Sequence, residues 1–152
     1  MSELLNLPEF DIKLRQVPEG GVQVFDPLRG RWVVLTPEEW VRQHFVNYLA
    51  VAKMYPTALM ANEVRLKFNG MSRRCDTVVY DHAFNPLMIV EYKRATVPIT
   101  QRVFDQIARY NITMGARWLV VSNGLHHYCC RIDGGSYAFV RDIPSWTDLV
   151  RR

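Results

Sequence analysis

The chain has 152 residues, of which 49% are hydrophobic and 22% are charged. This composition is typical of a globular protein and excludes a wholly disordered, coiled-coil or collagen-like chain. The length suits one compact domain. The formal net charge of +4 is mild, so it is compatible with a phosphate-bearing partner but does not demonstrate one.

Localisation follows from what the sequence lacks. No apolar run approaches the roughly 18 residues that a membrane helix needs, and the N-terminus shows no basic segment followed by an apolar one, as a signal peptide would. The cysteines Cys75, Cys129 and Cys130 are too few, and odd in number, for a disulfide framework. We therefore expect a soluble, cytoplasmic protein with no membrane partner.

The N-terminal part of the chain predicts a lead-in and then a hairpin. Residues 1–20 show no regular hydrophobic period and are interpreted as a partly ordered lead-in. The segments Val22–Phe25 and Arg31–Leu35 flank a turn-rich stretch that contains Asp, Pro and Gly. This pattern is typical of two short antiparallel strands.

A helix start follows the predicted hairpin. Thr36 is the expected N-cap, Pro37 stands at the first helical position, and Glu39 has the spacing of a capping box. The helix is expected to end before Pro56. Its apolar positions recur on one face: Val41, Phe45, Tyr48, Leu49 and Ala52.

The middle of the chain predicts three strands. Glu63–Phe68 ends at Asn69-Gly70, which is a strong hairpin signal, and Arg74–Tyr80 follows it. After a loop, Leu87–Lys93 is apolar on both faces until its last residues. Such a run is typical of a central strand that is covered on both sides.

The C-terminal half predicts a second helix, three more strands and a short last helix. The second helix begins at Thr100 and is closed by Gly115. A short buried strand is expected at Trp118–Val121, and a last hairpin follows with a terminal helix after it. The apolar stripe of the second helix is expected to be Val103, Ile107, Tyr110 and Met114, and the hairpin strands are His126–Ile132 and Tyr137–Arg141.

These elements predict an α/β (α+β) fold with a mixed central β-sheet flanked by helices. The whole of 1–152 is interpreted as a single domain, with its core at 22–124 and a C-terminal hairpin and short helix at 125–152.

In the predicted order of strands, two acids and a lysine lie on neighbouring strands. Strand alternation points Glu91 and Lys93 to the side that Leu87 and Ile89 share. If the strand at 74–80 pairs with this one, Asp76 can face the same side and approach Glu91. Two carboxylates at an apolar surface repel each other and lose solvation, so a cation must hold them or one must take a proton.

A divalent cation resolves this conflict. Mg²⁺ prefers one or two carboxylates together with water and substrate phosphate. The single positive charge of Lys93 could orient a water or stabilise the negative charge that grows in a phosphoryl transition state.

The arrangement resembles the core of the PD-(D/E)XK nuclease superfamily, in which an acid precedes an E-x-K strand. The surrounding motifs resemble the short N-terminal nuclease domain of type I restriction enzyme R subunits over about Val22 to Gly124. The motor domain that follows this module in R subunits is not expected within these residues. The matching segments occur in the family's order: Thr36 to Gln43, Asn62-Glu63-Val64, Arg74-Cys75-Asp76, Glu91-Tyr92-Lys93, and Gln106 with Tyr110.

The resemblance implies a restriction-endonuclease-like core and a role for each matching residue. Asp76 and Glu91 would be metal ligands, Lys93 the catalytic lysine, and Gln106 a catalytic residue that shapes the site. Glu39 matches an acid that assists the metal in some members, although a capping box alone also explains it. Mg²⁺ is the implied cofactor, and Mn²⁺ is expected to substitute for it.

We expect a metal-dependent nuclease that hydrolyses DNA phosphodiester bonds. Restriction or defence system subunits, or a second copy in a homodimer, are further possible partners. One alternative is an inactive nucleic-acid-binding or assembly module of the same fold, and another is an interaction subunit that pairs through a sheet edge near Tyr137 and Phe139. The expected substrate-binding residues are Arg74, Arg94, Arg102 and Tyr110.

Overall fold

A computed structural model describes residues 4–151 of the chain. They form two sheets and three helices. The smaller sheet is antiparallel, with strands in chain order: β1 (Leu14–Gln16), β2 (Val22–Asp26) and β3 (Arg31–Val34). The hairpin of β2 and β3 was predicted, whereas β1 falls inside the segment interpreted as a lead-in. The start of that lead-in, 1–3, lies outside the described residues.

The larger sheet has six strands that also lie in chain order. All neighbours are antiparallel except the two central strands, which run parallel because a helix crosses between them. The sheet is therefore mixed, and the predicted fold class is confirmed. Its strands are β4 (Met60–Phe68), β5 (Met71–Tyr80), β6 (Pro86–Tyr92), β7 (Trp118–Ser122), β8 (His127–Asp133) and β9 (Ser136–Val140).

The helices cover opposite faces of the six-stranded sheet. α1 (Pro37–Val51) and the C-terminal α3 (Trp146–Arg151) contribute to the core on one face. α2 (Gln101–Asn111) contributes to the core on the other. In the described part of the chain no helix is long and apolar enough to cross a membrane.

Local sequence signals explain where several elements begin and end. The Thr36 hydroxyl accepts from the Glu39 N–H at the start of α1, as predicted for the N-cap. Asn69 and Gly70 both have positive φ, which is the backbone of the type I′ turn that an Asn-Gly hairpin favours. Gly115 has a φ of 82° in the left-handed region, as expected for the residue that ends a helix.

The predicted apolar stripe of the second helix is only partly right, because Met114 lies in the core and Ile107 packs against it, but Tyr110 does not. The helix buries Phe104, Ala108 and Asn111, whereas Tyr110 is 63% exposed. The small Ala108 lets the helix approach the sheet closely, and Phe104 packs against the rings of β8 and β9. These tertiary contacts rotate the helix by about one residue from the orientation that its apolar pattern favours.

Candidate metal centre

Asp76 and Glu91 meet where strands β5 and β6 separate. The ladder between these strands extends to the pair Thr77 and Val90. Beyond this pair, the Tyr92 N–H donates to the Asp76 carboxylate at 2.9 Å. The Asp76 side chain thus replaces a ladder acceptor, and it lines the same cavity as Glu91.

The two acids share a cavity of about 270 Å³ with Lys93. Lys93 directly follows β6, and its N–H donates to the Ser122 carbonyl at 2.9 Å, which fixes the backbone beside β7. Arg73, Tyr92 and Ile107 complete the lining. The structure therefore brings together the three residues that the E-x-K pattern singles out.

Burial makes the acidic pair electrostatically costly. Glu91 is 8% exposed, and burial, followed by the charge of Asp76, raises the pKa of its carboxyl to about 9. Its Oε1 is a buried atom with no hydrogen-bond partner among the described residues. The nearest cation is the Arg73 guanidinium, whose Nη2 is 4.0 Å from Oε1, so its compensation is weak.

Arg73 lines the cavity, although strand alternation does not predict this placement. Regular alternation places Arg74, not Arg73, on the side of Asp76. The ladder of β4 and β5 passes from Asn62–Thr77 to Val64–Cys75 with an irregularity at Glu63, whose φ is 56°. This irregularity reverses the faces, so Arg73 reaches the cavity, and the sequence carries no signal for a left-handed Glu.

Arg74 and Tyr110, two predicted substrate contacts, lie next to the cavity. The Arg74 side chain is mostly exposed and its Nη2 is 3.3 Å from Glu63. Tyr110 lies under the guanidinium of Arg73, with 4.8 Å between the carbon of that group and the ring centre. The two residues flank the cavity without lining it.

Gln106, Arg94 and Arg102 are exposed. The residue that α2 contributes to the cavity is Ile107, next to Gln106. The structure therefore does not bring Gln106, Arg94 or Arg102 into the cavity with the acids.

Glu39 is also absent from the lining of the cavity. Its carboxylate accepts from Arg29 and from two atoms of Arg42, at 2.7 to 3.0 Å, and from Gln43 at 2.9 Å. These hydrogen bonds lower its pKa against the opposing effect of burial. The predicted capping box is therefore only half present, because the Thr36 hydroxyl caps the helix while the Glu39 side chain binds arginines.

Arg42 connects this ion-pair cluster to the cavity. Its Nη1 donates to Glu63 at 3.0 Å and to the Asp76 carbonyl at 2.8 Å. Arg42 thus holds the backbone of the residue whose side chain faces Glu91. Its role is to position Asp76.

The donor set near the acids is small. Among residues 4–151, no group of three or more His, Cys, Asp or Glu side chains is placed to hold a metal ion. A pair of carboxylates nevertheless fits Mg²⁺, which keeps several waters and takes substrate phosphate as a ligand. The orphaned Glu91 oxygen is the observation in favour of such a cation.

Comparison with protein families gives one match. Residues 37–144 match the family described as the type I restriction enzyme R protein N terminus. No curated protein sequence matches the chain.

Solved structures with a similar fold include a fragment of a restriction enzyme subunit. A fragment assigned to the HsdR subunit of a type I restriction enzyme from Vibrio vulnificus YJ016 has a TM-score of 0.56 and 18% identity, covering 77% of this chain and 25% of that one. The DrdV–DNA complex has a TM-score of 0.45 and 15% identity, covering 76% and 12% of the two chains. At 18% identity, the likeness to the HsdR fragment shows the fold alone. The TM-score of the DrdV complex is too low to show a shared fold.

A third solved structure covers most of both chains. It is a protein assigned as a DUF820 nuclease from Anabaena variabilis ATCC 29413, with a TM-score of 0.49 and 9% identity, covering 91% of this chain and 88% of that one. The chain described here therefore spans about a quarter of the HsdR fragment but nearly the full length of this smaller protein.

Proposed function

Because the chain belongs to the family of type I restriction enzyme R protein N-terminal domains, which are nuclease-like, we propose that it is a metal-dependent nuclease that hydrolyses DNA phosphodiester bonds. The observation that carries this proposal is the cavity in which Asp76 and Glu91 face each other beside Lys93. A buried Glu91 and a partly buried Asp76 next to one lysine suit phosphodiester hydrolysis better than they suit stability.

Asp76 and Glu91 are the proposed ligands of Mg²⁺, with Mn²⁺ as a substitute. When bound there, the cation would stabilise the negative charge of the phosphoryl transition state and acidify a bound water. Asp76 is well placed for this role because the Tyr92 N–H fixes one of its oxygens. Glu91 is well placed because Oε1 has no competing donor within the described residues.

Lys93 is the proposed catalytic lysine. Its half-buried ammonium can orient the attacking water and stabilise charge on the phosphate. The hydrogen bond from its N–H to Ser122 holds its backbone next to the acids. A neutral side chain at this position would fold equally well but would lack the charge.

The remaining predicted residues take supporting roles in this proposal. Arg74, Arg94, Arg102 and Tyr110 are proposed to contact the substrate around the cavity. Gln106, which lies on the exposed side of α2, is proposed as a further contact to substrate rather than as part of the metal site. Glu39 is left out of the ligand set because arginines and Gln43 occupy its oxygens.

DNA is the proposed substrate. Subunits of a restriction or defence system are proposed partners, since the matched family takes its description from a multi-subunit restriction enzyme. A homodimer stays a prediction that no contact of this single chain tests.

An inactive nucleic-acid-binding module is the second candidate. It is favoured by the ion pair of Arg73 with Glu91 at 4.0 Å, since this arginine could neutralise the acid without a metal. Such a module would bind DNA in a salt-dependent way with no need for divalent cations.

Cleavage of end-labelled single-stranded, duplex and forked DNA in Mg²⁺ and in Mn²⁺ separates the two candidates. We expect the wild type to cut and Glu91→Gln and Lys93→Met to lose cutting by at least about a hundredfold, because metal and charge stabilisation are each worth several kcal/mol in the transition state. Glu38→Gln, an exposed acid on α1, is the control. Equal cutting by Glu91→Gln would contradict the proposal, and no cutting by a folded wild type would favour the binding module.

A further inference from the structure

The hairpin of β4 and β5 extends past the rest of the sheet. It does so next to the cavity that Asp76, Glu91 and Lys93 line, which we call the acidic cavity. The two strands stay paired as far as Phe68 and Met71, whereas β6 pairs with β5 only from Thr77 onward. The segment 72–76 of β5 therefore has β4 on one side and an open edge on the other. This open edge leads from Asp76 towards the hairpin turn.

Positive charge is concentrated on this part of the hairpin. Arg65 and Arg74 lie directly opposite each other on neighbouring strands, where like charges destabilise a sheet. Arg65 donates to the neutral Ser72 hydroxyl at 3.3 Å. Glu63 is 3.3 Å from Arg74 but is shared with Arg42, so the pair of arginines is only partly compensated.

These arginines line a second cavity, of about 400 Å³. Its lining includes the polar residues Arg65, Ser72, Arg73 and Arg74. It also includes Tyr110 and Met114. Its lining among the described residues contains no acid. Arg73 lines this basic cavity and the acidic cavity as well, and its buried Nε has no hydrogen-bond partner in the described part of the chain.

We propose that the basic cavity binds the phosphate that neighbours the scissile one on the same DNA strand. The inference rests on the proposed function, because it takes the acidic cavity as the place of cleavage. A cavity lined by three arginines and no acid suits a phosphate, which arginine binds through two parallel hydrogen bonds. The DNA strand would then run from Asp76 along the open edge of β5.

This geometry makes the enzyme select for polymeric substrate. A small diester such as bis(p-nitrophenyl) phosphate occupies the acidic cavity alone, since it has no second phosphate. An oligonucleotide occupies both cavities. Loss of the arginines should therefore weaken binding of the oligonucleotide more than binding of the small diester.

Binding of a fluorescein-labelled oligonucleotide, measured by anisotropy in the uncleaving Glu91→Gln background, tests the proposal. We expect Arg65→Gln with Arg74→Gln to weaken binding roughly tenfold at low salt. The slope of log K against log[salt] should fall by about 1, because both arginines contact the same phosphate. Arg31→Gln with Arg151→Gln, two exposed arginines on β3 and α3, removes the same charge elsewhere and should change both quantities little.

The outcomes separate this proposal from the proposed function. An affinity and salt slope equal to those of the control pair would overturn the basic cavity, even if the wild type cuts DNA. If the wild type cuts no substrate but the hairpin variant still binds tenfold more weakly, the nuclease proposal fails and the phosphate site stands. In an active wild type, the hairpin variant should raise KM for the oligonucleotide by a larger factor than KM for bis(p-nitrophenyl) phosphate, and an equal rise for both substrates would contradict the proposal.

Discussion

At the scale of single residues, Glu91 stands out because the pKa of its carboxyl is strongly raised. Burial and the neighbouring charge of Asp76 raise the pKa of its carboxyl from an ordinary 4.5 to about 9. A raised pKa means that folding favours the protonated acid, so ionising Glu91 destabilises the metal-free protein. Its stabilising contribution is complete below pH 4.5 and is lost as the pH rises towards 9.

Glu91→Gln should therefore stabilise the metal-free protein at alkaline pH, because glutamine keeps the shape and does not titrate. The expected gain grows by up to about 1.4 kcal/mol for each pH unit between the ordinary pKa and the raised one. The gain should disappear near pH 5. Thermal unfolding of both proteins in EDTA across this range measures it, and parallel curves would contradict the assignment.

Arg42 is the residue on which the ion-pair cluster of α1 depends. It is buried and binds Glu39, Glu63 and the Asp76 carbonyl. Arg42→Met would leave two carboxylates with fewer partners, and breaking a buried pair from one side costs about 3–5 kcal/mol. Urea unfolding should show this loss, and Arg42→Met combined with Glu39→Gln should recover part of it; a loss below 1 kcal/mol would count against the cluster.

At the scale of elements, a chain of polar side chains joins the small sheet to the large one. The Tyr92 hydroxyl donates to Thr77 at 2.9 Å, and Thr77 donates to Asn62 at 2.7 Å. Asn62 in turn donates to Asp26 of β2 at 2.9 Å. The chain ties Tyr92, which lies between Glu91 and Lys93, to the N-terminal hairpin.

Asn62→Ala should break this connection. It leaves Thr77 and Asp26 each short of a buried partner, which costs about 1–3 kcal/mol per group. Thr77→Ser, which keeps the hydroxyl, is the matched control and should cost under about 1 kcal/mol. Chemical unfolding compares the two variants, and an Asn62→Ala protein as stable as Thr77→Ser would refute the role given to the chain.

The sequence predicts the elements well but not their fine geometry. The spacing of Glu91 and Lys93 on an apolar strand predicted the acidic cavity, because alternation on a central strand is reliable. Arg73 rather than Arg74 lines the cavity because the backbone at Glu63 is left-handed. No residue type in the sequence predicts such a backbone at a Glu. The role of Glu39 could not be predicted either, since one of its arginine partners, Arg29, lies in the distant turn between β2 and β3.

At the scale of the whole molecule, the site lies at one end of the central strands and between the two helical layers. α1 reaches it through Arg42, and α2 reaches it through Ile107. The hairpin of β4 and β5 extends from it as a basic arm. Each layer therefore contributes to the surroundings of one pair of acids. The proposed function depends on whether these acids bind a divalent cation.

Diffraction at the manganese absorption edge from crystals grown with Mn²⁺ tests this claim most directly. We expect an anomalous peak between the carboxylates of Asp76 and Glu91, and no such peak in crystals of Glu91→Gln. Ordered Mn²⁺ elsewhere only, with the Arg73 guanidinium still beside Glu91, would contradict it.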